Sequence, residues 1–151
     1  MSGVAIRPIC FLLFAAAALP CSADRAAAER LLAEGDAAIK RQDIPGALKA
    51  FGAAVEADPK YAKAWGGRGY AKARMQQLTG ALEDYAVALE LDPADLQTHI
   101  RRHSVLSALD RWAEAALEAE FLLKAQPGNP DFLALHGLDL IHIGQVDTGL
   151  A

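Results

Sequence analysis

Proline recurs along the chain at a fixed interval. Pro59, Pro93 and Pro127 are equally spaced, and each follows a largely apolar stretch. Self-similarity at a period of about 34 residues is typical of paired helices that stack, because one helical hairpin cannot bury its apolar face alone. The period therefore predicts an all-α solenoid of antiparallel helix pairs joined by short links.

Alignment on these prolines divides the chain into three windows, residues 28–61, 62–95 and 96–129, and a partial fourth, 130–151. Small and large residues recur at matching places in the first two windows. They are Leu31, Gly35, Ala47, Phe51, Ala54 and Pro59, and then Trp65, Gly69, Ala81, Tyr85, Ala88 and Pro93. Small residues on both helices of a pair let the backbones approach. The large ones fill the flanks, and each contributes roughly 1.5–3 kcal/mol when fully buried.

The helix ends are also marked in the sequence. Asp58-Pro59 and Asp92-Pro93 are predicted to end the second helix of their windows. Proline lacks an N–H group and restricts the preceding residue away from helical angles. The next helix is expected to begin within a few residues.

This pattern resembles the tetratricopeptide repeat family. The matching residues are Trp65-x-x-x-Gly69 and Ala81-x-x-x-Tyr85-x-x-Ala88-x-x-x-x-Pro93. The resemblance extends over nearly all of residues 28–151 and is weaker in the third window. It implies a right-handed superhelix in which the first helices line a concave groove that commonly receives a peptide or a partner helix.

The third window departs from the other two at the packing positions. His103 stands where the earlier windows have Gly35 and Gly69, and Ala119 stands where they have an aromatic residue. A bulky ring on one helix opposite a small residue on the other predicts an exchange of volume that preserves the packing.

The resemblance places seven residues in a partner-binding groove. They are Asp36, Lys40, Lys63, Tyr70, Arg74, Arg101 and Ser104. Lys63, Arg74 and Arg101 suit an acidic segment of a protein or peptide, and Tyr70 offers apolar contact. A charged helix face that is merely solvated is the alternative interpretation.

One subclass of the family grips the C-terminal carboxylates of chaperones through Lys and Asn residues in the groove. The corresponding places here hold Leu32, Asp36, Gly67, Gln97 and Arg101. Only the arginine matches in kind. The resemblance therefore does not extend to that clamp.

Other candidate chemistry is weak. His99 and His103 have the i, i+4 spacing of a shared metal, but no third ligand stands nearby and His99 takes the packing place of Trp65. Ser104 and Ser107 lie in no nucleophile motif. We therefore expect a non-catalytic protein without a metal site or a cofactor.

The glycine-rich stretch Gly66-Gly67-Arg68-Gly69 lacks the Lys-Ser or Lys-Thr of a phosphate loop. Gly69 has a packing role in the repeat, whereas the sequence suggests none for Gly66 and Gly67. Tolerance of these two glycines is the favoured interpretation, and a lowered groove wall is the alternative.

The beginning of the chain predicts export. Arg7 precedes an apolar run from Ile9 to Leu19, and small residues follow, so residues 1–23 read as a signal peptide cleaved after Ala23. Eleven apolar residues are too few to cross a bilayer about 30 Å thick. A lipid anchor on Cys21 is the alternative, but the preceding proline argues against it, because lipoprotein sites carry a small residue there.

Cleavage would leave residues 24–151 as one repeat domain without cysteine, carrying 14 cations against 19 acids, a net charge of 14 − 19 = −5. A mildly acidic domain lacks the cationic surface that phosphate backbones need, so nucleic acid is an unsuitable partner. We expect a periplasmic or secreted interaction adaptor.

The fourth window raises a second possibility. Its second helix has room only for about residues 146–151, so Leu138 and Ile141 are expected to lack a covering partner. Terminal repeats of solenoids normally need a polar outer face. An assembly protein that self-associates through this face, with concentration-dependent oligomers, is the alternative function.

Overall fold

The computed structural model describes residues 22–144, and over that range the chain forms seven α-helices and no β-strand. The helices are α1 (Ser22–Lys40), α2 (Ile44–Ala57), α3 (Ala62–Arg74), α4 (Leu78–Leu91), α5 (Leu96–Ala108), α6 (Trp112–Ala125) and α7 (Pro130–His142). The all-α prediction is confirmed. Cys10, Cys21, nearly all of the predicted signal peptide and the segment 145–151 lie outside the described residues.

The helices stack as successive pairs. Each helix packs against the next one in the chain, and α3 also contacts both α1 and α5. The first helices of the pairs therefore form one layer, and the second helices α2, α4 and α6 lie behind it. None of the helices between residues 22 and 144 is long and apolar enough to span a membrane.

The helix ends follow the predicted punctuation. α2 and α4 end one residue before Asp58 and Asp92, and each aspartate donates its backbone N–H to a carbonyl four residues earlier. The prolines that follow them start the links, as expected. Asp43, Asp95 and Asn129 cap the N-termini of α2, α5 and α7 with side-chain oxygens that accept backbone N–H groups.

The turn inside each pair repeats as regularly as the prolines. Gln42, Gln76 and Asp110 have left-handed φ angles of 61°, 61° and 55°, and Gly144 has a φ of 79°. Neighbouring members of this series are again one repeat period apart. L side chains rarely adopt this conformation, so only the glycine takes it without strain. The hairpin geometry is therefore imposed by the packed helices at three of the four turns.

Aromatic rings and glycines form the core of the first two repeats. Phe51 and Tyr85 are almost completely buried, at 1% and 0% exposure. A Cβ added to Gly35 would lie 2.4 Å from a ring carbon of Phe51, and one added to Gly69 would lie 2.7 Å from Tyr85. The close approach predicted from these glycines is confirmed.

Gly66 and Gly67 also have packing roles, so the interpretation that they are merely tolerated is wrong. A Cβ on Gly67 would lie 2.8 Å from Phe51 of the preceding repeat, and one on Gly66 would lie 2.9 Å from the Thr98 hydroxyl of the following repeat. The two glycines let α3 approach its neighbours on both sides.

The third repeat uses a polar contact. His103 and Ala119 are both buried, as the predicted exchange of volume requires. His103 Nε2 lies 2.8 Å from Asp139 Oδ2 on α7, and both side chains are at most 6% exposed. A buried imidazole needs such a partner, so this repeat is tied to the next helix by a hydrogen bond.

Candidate functional site

Cavities lie along the layer of first helices, which we call the groove, and two of them border α3. The N-terminal cavity, of about 250 Å³, lies between α1, α3 and α5, and the C-terminal cavity, of about 300 Å³, lies between α3, α4 and α5. Of the predicted binding residues, the first cavity is lined by Asp36, Lys63, Tyr70 and Arg101, and the second by Tyr70, Arg74, Arg101 and Ser104. Six of the seven are therefore brought together. Lys40 is exposed at the end of α1 and lines neither cavity.

Tyr70 lies at the junction of the two cavities, between two arginines. The guanidinium carbon of Arg101 is 4.7 Å from the centre of the Tyr70 ring and that of Arg74 is 5.8 Å away. Arg74 Nη1 also donates to the Tyr70 hydroxyl at 3.0 Å, and Arg101 Nη1 donates to the Gly66 carbonyl at 3.4 Å. We call Tyr70, Arg74 and Arg101 the Tyr70 cluster. Cation–π contacts and hydrogen bonds hold both positive charges in the groove.

The two arginines of the cluster differ from their neighbours in their ion pairs. Over residues 22–144 neither Arg74 nor Arg101 lies within salt-bridge distance of a carboxylate. Arg68 on the same helix as Arg74 binds Asp84 through two nitrogens, at 2.7 and 2.9 Å, and this hydrogen bonding raises the pKa of Arg68. The α3 helix thus carries one arginine committed to the fold and one available to a ligand.

The α5 helix repeats that division. Arg102 lies 3.0 Å from Glu118 of α6, whereas its neighbour Arg101 points to the groove. Adjacent residues on a helix differ in direction by about 100°, so one faces the second helix and the other the concave side.

Acidic residues are unevenly distributed between the cavities. Asp36 and Asp95 line the N-terminal cavity, opposite Lys63 and Arg101. The Asp95 carboxylate is already used, because it accepts from the Gln97 N–H at 3.1 Å and from the Thr98 hydroxyl at 2.6 Å. Among the described residues no carboxylate lines the C-terminal cavity. Positive charge is therefore concentrated at the C-terminal cavity.

The five places of the carboxylate clamp converge in the structure. Leu32, Asp36, Gly67, Gln97 and Arg101 all line the N-terminal cavity. The groove thus has the geometry that the resemblance implies, with different side chains in it. An aspartate and a leucine replace groups that would attract a carboxylate.

His99 has a structural role that the sequence only half revealed. Its Nε2 lies 3.1 Å from the Pro93 carbonyl, a contact that matches the 2.9 Å bond from Trp65 Nε1 to the Pro59 carbonyl in the preceding repeat. Its Nδ1 lies 2.6 Å from Glu118 Oε2, and its ring stacks on Phe121 at 3.9 Å. The His99 ring therefore takes the place that Trp65 has in the preceding repeat, and both of its nitrogens face oxygen acceptors.

The two histidines on α5 serve different helices, since His99 faces α6 and His103 faces α7. In the part of the chain that the structure describes, no three His, Cys, Asp or Glu residues are grouped closely enough to hold a metal ion. The Ser104 and Ser107 hydroxyls donate to the carbonyls of Ile100 and His103 in their own helix, each at 3.0 Å. In the described part of the chain neither hydroxyl is hydrogen-bonded to a side-chain base.

Tyr85 is a groove residue that the sequence reasoning assigned only to packing. It lines the C-terminal cavity, and its buried hydroxyl has no hydrogen-bond partner among the described residues. Burial raises the pKa of Tyr85 to about 12. The available signal was the difference from Phe51, which has the same place in the preceding repeat and no hydroxyl.

Comparison with known proteins agrees with this geometry. Residues 32–95 match the family described as "Tetratricopeptide repeat". That part of the chain consists of tetratricopeptide repeats. No curated protein sequence matches it. The tetratricopeptide repeat array is a protein–protein interaction scaffold, and this fold is typically non-catalytic.

Several solved structures share the fold. The one described as "First TPR of Spaghetti (RPAP3) bound to HSP90 peptide SRMEEVD" is 21% identical, with a TM-score of 0.75 over 80% of this chain and 98% of that one. The "TPR2B-domain:pHsp70-complex of yeast Sti1" is 22% identical, with a TM-score of 0.69 over 76% and 96%. A structure of MamA protein is 19% identical, with a TM-score of 0.77 over 85% and 70%.

Proposed function

We propose that this chain is an exported, non-catalytic adaptor of the cell envelope that binds an acidic segment of a partner protein or peptide in its groove. The observation that carries the proposal is the Tyr70 cluster. It presents two guanidinium groups without ion pairs beside a cavity whose described lining holds no carboxylate. An acidic segment would supply the missing counter-charges.

The cluster has the composition of a binding hot spot. Tyrosine and arginine are enriched among the residues that dominate binding energy, because they combine large contact area with directional polar groups. The contacts of Arg74 and Arg101 with Tyr70 already restrict all three side chains, which lowers the entropy lost on binding. The cluster is therefore prepared for a ligand before the ligand arrives.

The distribution of charge favours a particular placement. Asp36 in the N-terminal cavity would repel an acidic segment, whereas the C-terminal cavity would attract it. A similar structure holds the HSP90 peptide SRMEEVD, in which three residues are acidic. Our proposal transfers only the acidic character of that ligand, and it moves the recognition from the clamp positions to the Tyr70 cluster.

A charge-reversing variant tests this placement. We expect Tyr70→Ala combined with Arg74→Glu to weaken binding of a fluorescein-labelled glutamate octapeptide about tenfold, measured by fluorescence anisotropy at low salt. The thermal midpoint should change little, because the cluster is not part of the core. Lys40→Glu is the matched control, since it makes the same change of charge outside both cavities. Equal loss of affinity in the control, or equal loss of affinity and stability in the double variant, would count against the groove.

The cellular location is a separate part of the proposal. The short cationic start, the apolar run and the small residues before position 24 support export to the periplasm or beyond. We expect the protein recovered from the cell envelope fraction to begin at Asp24 in N-terminal sequencing. Recovery of the uncleaved chain from the cytoplasm would contradict this part and leave the groove proposal standing.

One observation favours the alternative of self-association. Leu133, Leu138 and Ile141 on α7 are between 50% and 55% exposed. Exposed apolar patches on a soluble protein mark contact surfaces. Sedimentation of the full chain at increasing concentration distinguishes the two functions: a monomer supports the groove adaptor, whereas a dimer that Leu138→Glu dissociates supports assembly through α7.

A further inference from the structure

The hydroxyl of Tyr85 is a buried donor without a partner in the described part of the chain. The side chain has 0% exposure, and packing does not explain the oxygen, because Phe51 fills the equivalent slot of the first repeat without one. A buried polar atom left unsatisfied lowers stability. Such an atom in a native fold calls for a specific explanation, such as a ligand or a bound water.

The position of Tyr85 indicates a ligand. It lines the C-terminal cavity together with apolar residues on three helices and the two arginines of the Tyr70 cluster. The apolar lining consists of Ala73, Leu78, Ile100, Val105 and Ala108. Burial raises the pKa of Tyr85 to about 12, so the hydroxyl keeps its proton at neutral pH and is available as a donor.

We propose that the C-terminal cavity is a specificity pocket for one side chain of the acidic partner, an apolar side chain that ends in a hydrogen-bond acceptor. The Tyr85 hydroxyl donates to that acceptor, and Arg74 and Arg101 bind the acidic residues on either side. Tyrosine is the simplest side chain with this chemistry. The inference rests on the proposed function, because the arginines hold the segment over the pocket.

The pocket should discriminate by the acceptor. A purely apolar side chain would fill the cavity but leave the Tyr85 hydroxyl unsatisfied in the complex as well. Sites built to hydrogen-bond a hydroxyl reject the analogue that lacks it more strongly than apolar pockets reject an extra methylene. A neutral hydrogen bond of this kind corresponds to about fivefold to tenfold in affinity.

A double-mutant cycle tests the pocket with defined probes. The full chain and its Tyr85→Phe variant are titrated with three fluorescein-labelled heptapeptides: six glutamates around a central tyrosine, six around a central phenylalanine, and seven glutamates. We expect the tyrosine peptide to bind the unaltered chain about fivefold to tenfold more tightly than the phenylalanine peptide, and Tyr85→Phe to abolish that difference. The thermal midpoint of Tyr85→Phe should be equal or higher, since the unsatisfied hydroxyl is gone.

A second variant keeps the test independent of the hydroxyl. Ala108→Leu places extra volume in the cavity from an exposed position. It should weaken both aromatic peptides and leave the heptaglutamate unaffected. Loss of all three peptides alike would contradict a pocket for one side chain.

The remaining outcomes separate the two proposals. If the heptaglutamate binds and the two aromatic peptides bind equally, the hydroxyl holds only water and the pocket is wrong while the groove stands. If the tyrosine preference survives Tyr85→Phe, the acceptor lies elsewhere and the pocket is wrong. If no peptide binds, the proposed function and the pocket fail together.

Discussion

The first two repeats and the third differ at the same two register positions, one on each helix of the pair. In the first two, an aromatic ring from the second helix occupies the space that Gly35 or Gly69 leaves on the first. In the third, His103 stands on the first helix and Ala119 on the second, and both are buried. An imidazole cannot be buried without a polar partner, and it finds Asp139 on α7. The repeat accommodates either arrangement, but the polar one also requires a hydrogen-bond partner from the next helix.

The helices α3 and α5 also differ in the side chains that they present to their neighbours. The α3 helix presents glycines to both neighbours, and Gly66 and Gly67 themselves line the N-terminal cavity. The α5 helix presents bulkier side chains to its second helix and to α7. Two of the cavities on the concave surface therefore border α3, the helix that carries Tyr70 and Arg74.

The greatest loss of stability should come from removing a buried aromatic ring. Phe51 is buried and contacts the glycines of two repeats, so Phe51→Ala should lower the free energy of unfolding by about 3–5 kcal/mol. Urea denaturation followed by circular dichroism measures it. Leu117→Ala, at a position 65% exposed, is the control and should change it by less than about 0.5 kcal/mol. A loss near the control's would mean that the ring does not hold the repeats together.

The polar arrangement should be sensitive to the loss of one partner only. His103→Leu leaves the Asp139 carboxylate buried without its hydrogen-bond partner and should lower the free energy of unfolding by about 2–3 kcal/mol. Valine stands at the equivalent position one repeat earlier, as Val105. Adding Asp139→Val to His103→Leu should therefore recover most of that loss, because apolar replacement of a buried polar pair is often neutral. Urea denaturation of both variants measures the recovery. Additive losses in the double variant would show that the two side chains are not coupled.

The stability of the unaltered chain and that of Tyr85→Phe should differ at high pH. The pKa of Tyr85 is about 12 in the folded chain and 10.0 is its ordinary value, so the folded state binds the phenol proton more tightly. This stabilisation is fully present below about pH 10 and is lost as the pH rises towards 12. Between pH 9 and 12 the unaltered chain should lose about 2 kcal/mol more than Tyr85→Phe. Parallel stability curves for the two proteins would argue that Tyr85 is accessible to water.

The smallest changes in stability are expected at two glycines, and they should have opposite signs. Gly67→Ala forces a Cβ against Phe51 and should destabilise the chain by about 1 kcal/mol even after the gain in helix propensity. A Cβ on Gly52 would meet nothing within 4 Å, so Gly52→Ala should stabilise by about 0.5–1 kcal/mol. Thermal melts of both variants measure the difference, and changes of equal sign would refute the packing role of Gly67.

The fold was predictable because its signals are local and periodic. The fixed interval between prolines, the aspartates Asp58 and Asp92 before two of them, and the small residues at Gly35 and Gly69 each act within one hairpin. Six of the seven predicted groove residues line one of the two cavities that border α3. Lys40 lines neither cavity although its neighbour Ile39 lines one, because adjacent residues on a helix differ in direction by about 100°.

The contacts between repeats could not be predicted in the same way. Phe51 touches Gly67 of the next repeat, and His103 meets Asp139 of the next first helix, at pairs of positions that are not equivalent in the register. Such pairs depend on how far each repeat rotates relative to the last. The lone hydroxyl of Tyr85 likewise becomes visible only when its surroundings are known.

Binding of an acidic segment by the Tyr70 cluster beside the C-terminal cavity should be visible residue by residue. The measurement is a titration of the uniformly ¹⁵N-labelled full chain with the glutamate octapeptide, followed by two-dimensional NMR. We expect the largest chemical-shift changes at Tyr70, Arg74, Arg101 and Ser104, with little change in α7. Absence of shifts at saturating peptide, or shifts centred on Leu133, Leu138 and Ile141, would contradict it.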